Sequence, residues 1–275
     1  MKNALSVDLE CWYSPELLIK YLPETFKCQA IEANNKLLEL LNKYNTKVTF
    51  FVLGNIAENN PDYIKMLHEE GHEICSHSYT HDTLHRLGKN QFEEELKKST
   101  NLIKSITHEQ PLGFRAPTFS VDQSTSWVFE LLKKYGYKYD SSIFPFKTGL
   151  YGVPKAQLAP YKPNVEDISK HDPEGDIIEF PMTVIRIWKN IPIAGGFYLR
   201  ALPLWFLNSA ISQVNKTRPA IIYIHPWETF KETPRLKVPP HIKFQTYYGI
   251  NSSLSKLESL LKNFKFAPIR EVLNL

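Results

Sequence analysis

The chain has 275 residues, of which 43% are hydrophobic and 23% charged, and a formal net charge of +4. That length supplies one large domain with a full core, or two small ones, and so thin and dispersed a cationic excess argues against a nucleic-acid or membrane-surface partner. No segment approaches the roughly 20 apolar residues of a membrane span. The opening residues, Met1-Lys2-Asn3-Ala4-Leu5-Ser6-Val7, run into acidic positions without the apolar stretch of a signal peptide. Cys11, Cys28 and Cys75 are odd in number and lack metal spacing, so they read as reduced thiols, and the expected compartment is the cytoplasm.

Taken in chain order, the first element is an apolar strand from Ala4 to Asp8 that ends in acids. Ala30 to Tyr44 carries Ile31, Leu37, Leu38, Leu40 and Leu41 near helical period. Lys47 to Leu53 has the look of a buried strand stopped by Gly54, and Pro61 to Glu70 that of a helix capped at Asn60 and ended by Gly71. A third strand covers Glu73 to Cys75, and a charged amphipathic helix Lys89 to Thr107. Strands follow at Leu112 to Arg115 and Lys138 to Asp140, separated by a helix from Asp122 to Tyr135. Two more strands, Ile177 to Phe180 and Ala220 to Ile224, and helices at Leu202 to Val214 and Ser252 to Asn263 complete the alternation. Strand–helix alternation over this length predicts one α/β domain, residues 1–275, with a mainly parallel sheet. Two stretches break the rhythm, Phe144 to Asp176 and Trp227 to Gly249, and read as irregular loop insertions that either rim a site or decorate an inert surface.

The polar residues sit in a pattern. Asp8 and Glu10 lie at the end of the first strand, His77 after the third, Arg115 at the end of the fourth, Asp140 at the end of the fifth, and His225 after the last. In a barrel of parallel strands those ends open on one face, where sites of that architecture are built. Any one of them has a bland explanation as a cap or a satisfied core group; together they are hard to dismiss. Two carboxylates at i, i+2 with two imidazoles, His77 and His81, at i, i+4 are donors for a borderline divalent ion that keeps a position open.

These stretches carry a family resemblance. The ordered motifs Val7-Asp8-Leu9-Glu10, Ser76-His77-Ser78-Tyr79-Thr80-His81, Gly113-Phe114-Arg115-Ala116-Pro117, Tyr139-Asp140-Ser141-Ser142 and Ile222-Tyr223-Ile224-His225-Pro226-Trp227-Glu228 resemble those of the polysaccharide deacetylases, carbohydrate esterase family 4 with its nodulation-factor deacetylase homology domain. The last motif, together with Gly195-Gly196-Phe197-Tyr198-Leu199-Arg200, is similar to the exopolysaccharide and surface-glycan branch. The resemblance implies a distorted (β/α) barrel of about seven parallel strands and a metal-dependent hydrolase that removes acetyl from an N-acetylated sugar or glycan precursor.

Carried onto this chain, the resemblance makes Asp8 the general base, Arg115 the residue holding it, Glu10, His77 and His81 the ligands of a divalent ion, most simply zinc, and His225 the general acid, with Asp140 orienting it. Thr118 occupies the place of an oxyanion amide, and Phe197, Tyr198 and Trp227 are the candidate sugar contacts. The common family pattern has two adjacent Asp in its first motif; here Leu9 follows Asp8, so the ligand role passes to Glu10, which strand alternation puts on the same face as Asp8. Cys11 could offer a thiolate but reads as a buried thiol. His72 reads as packed and His85 as pointing elsewhere, while Glu228 reads as a surface partner of Arg200 or Arg235. Two other classes share these features: a hydrolase of another small amide, formamide or ureide on the same scaffold, and a non-catalytic sugar-binding module.

Overall fold

The computed structural model describes residues 1–275. Ten strands and ten helices follow in order: β1 Lys2–Leu9, α1 Ala30–Lys43, β2 Thr49–Val52, α2 Gly54–Asn59, α3 Pro61–Glu69, β3 Glu73–Ser76, α4 Leu84–Thr107, β4 Gly113–Phe114, α5 Val128–Lys134 and β5 Tyr139–Asp140. The second half contributes β6 Ile178–Glu179, β7 Val184–Arg186, β8 Asn190–Pro192, α6 Phe197–Ala201, α7 Leu204–Val214, β9 Ile221–Ile224, α8 Pro240–Tyr247, α9 Ile250–Asn263, β10 Lys265–Ala267 and α10 Ile269–Leu273.

Seven parallel strands form the curled sheet in the order β9-β1-β2-β3-β4-β5-β6, and β10 adds a short parallel pairing to the start of β1. β1 is its centre. Ala4 to Val7 pair with Ile221 to Ile224, and Ser6 to Leu9 with Thr49 to Val52, so every residue of β1 after Lys2 is buried. Burial on both faces does not erase the alternation: Leu5, Val7 and Leu9 pack in the apolar core, whereas Ser6 and Asp8 turn the other way and share Arg115 Nη1. The barrel closes without an eighth strand. Thr183 Oγ1 donates to the Ile221 carbonyl at 2.9 Å, and Gly195 forms a lone parallel bridge to Tyr223. Gly195 has φ +136, and a Cβ there would lie 1.8 Å from the Tyr223 carbonyl oxygen, so only glycine lets the closing segment approach.

The expected elements are present with shifted ends. The helix expected from Lys89 begins there as regular helix; a preceding turn joins it through Gly88, whose φ of 68 and ψ of 172 are not helical. The expected helix Asp122 to Tyr135 divides: Asp122 caps a 3-10 turn at Gln123–Thr125, and α5 starts only at Val128. Residues 144–176 hold no regular element beyond isolated bridges such as Tyr161 to Glu179. The second stretch expected to be irregular, 227–249, is corrected in part. It contains α8, which starts from Pro240 at its first position, and whose weak sidedness, with three buried residues in eight, hid it from a periodicity reading. The β7–β8 hairpin also escaped, because each arm is only three residues long.

Cys11 and Cys28 form a disulfide with Cα atoms 5.3 Å apart, which corrects the reading of three reduced thiols. An odd cysteine count leaves one pair possible, and the chain's return from residue 22 to the start of α1 brings Cys28 to the end of β1. Cys75 is the one free thiol, buried against the Tyr139 hydroxyl at 3.2 Å.

Candidate active site and metal centre

The C-terminal ends of the strands deliver the site. Asp8 is the penultimate residue of β1 and Glu10 follows its end; His77 follows β3, Arg115 follows β4 and His225 follows β9. Asp8, Glu10, His77, His81, Thr118, Phe197, His225 and Trp227 line one cavity of about 150 Å³, and Arg115 lies fully buried behind it, bonded to Asp8. The convergence expected of parallel strand ends therefore occurs, with Asp140 as the exception.

Glu10, His77 and His81 present donor atoms within 4.8 Å of one another. Glu10 Oε2 lies 2.6 Å from His81 Nε2 and 4.0 Å from His77 Nε2. The imidazoles do not meet on a helix. Ser78 and His81 have φ of 66 and 78, so a left-handed loop turns both rings inward. Glu95 of α4 holds that loop: its Oε2 accepts from Ser78 Oγ at 2.7 Å and from the amides of Tyr79 and Thr80 at 3.2 Å, and its Oε1 from Thr80 Oγ1 at 2.6 Å. His77 Nδ1 donates to the Arg115 carbonyl at 2.7 Å, which fixes the tautomer and leaves Nε2 with its lone pair towards Glu10. Burial, reinforced by the neighbouring His81, pushes the His77 ring down to about 3, so it is neutral and able to ligate. Burial raises the Glu10 carboxyl, but His225, His81 and His77 outweigh it and keep the group anionic. Trp227 Nε1 donates to Glu10 Oε1 at 3.1 Å, which orients the other oxygen. Two imidazoles and an oriented carboxylate fit a divalent ion. Cys11 is committed to its disulfide and is no ligand.

Asp8 stands beside this triad as a base. Arg115 Nη1 donates to its Oδ1 at 2.6 Å, and its Oδ2 is 3.8 Å from His225 Nε2. His225 presents Nε2 to the cavity, 3.6 Å from Glu10 Oε1. Its Nδ1 donates to Glu228 Oε2 at 2.7 Å, and Trp227 stacks on the ring with centroids 5.4 Å apart and planes at 17°. Burial works against a charged imidazole here, but the carboxylates of Glu10, Glu228 and Asp8 outweigh it and raise the ring to about 9.

Asp140 does not orient His225, and that expectation is corrected. It ends β5 in direct register with Glu179 of β6, and its Oδ1 accepts from Ser142 Oγ at 2.5 Å. The two acids form a buried pair inside the barrel, away from the cavity. Glu228, read from sequence as a surface group, is buried and takes the contact instead. Its signal was present: it lies three residues after His225 across Pro226, the spacing that closes a 3-10 turn on itself. Thr118 lines the cavity from a left-handed position with φ 55. Phe197 and Trp227 line the cavity as expected, whereas Tyr198 faces an adjoining one with Leu150 and Tyr151. His72 is packed against Phe50 and His85 pairs with Asp122 at 3.0 Å, both outside the site.

Comparison with known proteins divides the chain between two families. Residues 24–139 match the family described as polysaccharide deacetylase, and residues 141–274 match a domain of unknown function, DUF3473. A peptidoglycan deacetylase of Helicobacter pylori is 37% identical over 108 residues, 39% of this chain and 36% of its own length. A peptidoglycan deacetylase-like protein of Gibberella zeae is 29% identical over 178 residues, 59% of this chain and 52% of its own. The chain thus spans between about a third and a half of these curated relatives. Among solved structures, a Mycobacterium smegmatis protein assigned to the polysaccharide deacetylases superposes with a TM-score of 0.60 at 16% identity, over 100% of this chain and 90% of that one. A pseudoenzyme of carbohydrate esterase family 4 from Bacillus anthracis gives 0.52 at 16% identity, over 99% and 65%. At such identities the likeness is one of fold. Since an inactive relative shares it, activity has to be argued from the side chains.

Proposed function

We propose that this chain, which belongs to the polysaccharide deacetylase family, is a metal-dependent hydrolase that removes acetyl from an N-acetylamino sugar of a glycan or glycan precursor. The observation that carries the reading is the meeting of Asp8, Glu10, His77, His81 and His225 around one cavity, with base, ligands and acid each separately oriented. Zinc suits the donor set. A divalent ion held by Glu10, His77 and His81 would supply Lewis acidity and lower the pKa of its water towards about 7.

The protein's own groups then divide the proton work. Asp8, held by Arg115, accepts the proton of the attacking water. Collapse of the tetrahedral adduct breaks the carbon–nitrogen bond, and an amine leaves only when it is protonated. His225 carries the proton for it on Nε2, which faces the cavity while Nδ1 is engaged. Thr118 lines the same cavity and would offer its amide to the oxyanion, a contact that elsewhere contributes about 2.7–4 kcal/mol. Phe197 and Trp227 give apolar surface for a sugar face. The Cys11–Cys28 bridge points to an oxidising working environment, the reverse of the cytoplasmic expectation.

Acetate release from N-acetylglucosamine oligomers by the zinc-loaded protein tests the proposal. Acetate release that disappears on chelation is expected. Ammonia or formate release from small amides instead would move the chain to a different hydrolase class, and bound sugar without turnover would make it a binding module.

A further inference from the structure

Resting on that reading, we propose that Glu228, braced by Arg200, is the positioning residue for His225 in place of the strand-end Asp140. Supplying this braced pair is then what the region of unknown function contributes to the reaction.

Both oxygens of Glu228 are committed. Oε2 accepts from His225 Nδ1 at 2.7 Å, and Oε1 accepts from Arg200 Nε at 2.7 Å, with both side chains only 2% exposed. Arg200 is anchored in turn: Nη2 donates to the Gln245 carbonyl at 2.9 Å, and Nη1 donates to that of Tyr248. Lys256 Nζ donates to the Arg200 carbonyl at 2.7 Å, and Ser253 Oγ to that of Glu228 at 2.5 Å. The chain passes so close at Gly249 that a Cβ there would lie 2.7 Å from the Arg200 carbonyl oxygen. Every member of this brace lies between residues 200 and 256, within the half that matches the family of unknown function.

A buried Arg–Glu pair can be purely structural. What goes beyond structure here is direction. A carboxylate fixed on Nδ1 keeps that nitrogen protonated, so the mobile proton belongs to Nε2, the atom that faces the cavity. Glu228→Gln would reverse this, because Arg200 claims the amide oxygen and the amide nitrogen is left facing the imidazole.

The leaving group provides the test. A departing sugar amine needs a proton from His225, whereas the phenolate of p-nitrophenyl acetate leaves without one. With zinc-loaded protein, Glu228→Gln is expected to lower kcat on N-acetylglucosamine oligomers by about 100-fold or more, within the range general acids contribute, and to change KM little. Its loss on the aryl ester should be far smaller. The double variant with His225→Ala should be no slower than His225→Ala alone, as for residues acting as a unit. Arg200→Lys should show the same selective loss in a milder form, and serves if Glu228→Gln does not fold. Equal loss on both substrates, no loss on the amide, or losses that add to those of His225→Ala would overturn the proposal. If the wild-type protein hydrolyses the ester but no N-acetyl sugar, the deacetylase reading fails, and nitrogen-15 spectra of the His225 ring decide this one. A proton on Nδ1 that shifts to Nε2 in Glu228→Gln supports it, and an unchanged ring overturns it.

Discussion

Arg115 Nη1 reaches Asp8 Oδ1 at 2.6 Å inside the barrel, and neither side chain is more than 2% exposed. The guanidinium is over-determined: Nη1 also donates to Ser6 Oγ at 2.8 Å, Nε to the Ser141 carbonyl at 2.9 Å, and Nη2 to Ser141 Oγ at 3.0 Å, with the Phe51 ring 4.1 Å beneath. Such a group points one oxygen of Asp8 away from solvent and leaves the other for a proton. Asp8→Asn should leave zinc stoichiometry intact and lower kcat by about 10²–10⁴-fold, the share of a general base. It also strands a buried cation, so unfolding should become easier by about 3 kcal/mol. Metal content, kcat and denaturant midpoint check the three parts, and turnover equal to wild type would remove Asp8 from the mechanism.

Glu95 touches no candidate ligand, yet four donors from Ser78 to Thr80 converge on it. Cutting that clamp lets the left-handed loop relax and costs His77 and His81 their common aim. Glu95→Ala should weaken zinc affinity by about 10–100-fold, as loss of an outer partner does at other metal sites. A competition titration against a chelator measures this without any substrate. In the wild type, excess zinc should raise the melting temperature, whereas His77→Ala should show no such rise.

The sequence made the scaffold legible where strands ended in polar residues. β1, β3, β4 and β9 are short apolar runs followed by Glu10, His77, Arg115 and His225, and parallel topology brings such ends together. The same rule misled at Asp140. A residue at a strand end faces the cavity or the barrel interior according to the pleat, and register with Glu179, set by pairing across residues 140 and 179, put two acids side by side indoors. Glu228 was missed for a complementary reason: its burial depends on α8 and α9 folding over Arg200, a contact 48 residues away in sequence that no local pattern shows. The disulfide was equally invisible, because the return path of residues 12–27 holds only one 3-10 turn, Ile19–Tyr21, and no period to read.

Thiol labelling checks that last point directly. Unfolded under non-reducing conditions, the protein should take up one equivalent of alkylating agent, at Cys75, and three after reduction. Cys28→Ser should cost about 3 kcal/mol of stability from the freed loop. Because Cys11 adjoins Glu10, it should also loosen zinc. Three reactive thiols in the unreduced protein would restore the reading of a reduced chain.

The Asp140–Glu179 pair predicts how stability varies with pH. Burial raises Asp140 to about 6, with the Glu179 and Ser142 contacts only partly offsetting it. Glu179 rises well above the ordinary carboxyl range, through burial and then the Asp140 charge. A carboxyl that binds its proton more tightly folded than unfolded stabilises the fold below its unfolded value, and this contribution is lost as pH rises through the folded one. Stability owed to this pair should therefore be full below about pH 4 and be lost as pH rises from there through about 6, where folded Asp140 titrates, with Glu179 carrying the decline further. Asp140→Asn removes the charge and keeps an acceptor for Ser142 Oγ, so it should stabilise the protein at pH 8 by about 1–3 kcal/mol, given 1.36 kcal/mol per pKa unit. At pH 4 the two proteins should match. Denaturant melts at both pH values measure the difference, while kcat should change little because Asp140 lies away from His225. A large kcat loss in Asp140→Asn, with Glu228→Gln silent, would return the orienting role to the strand-end acid.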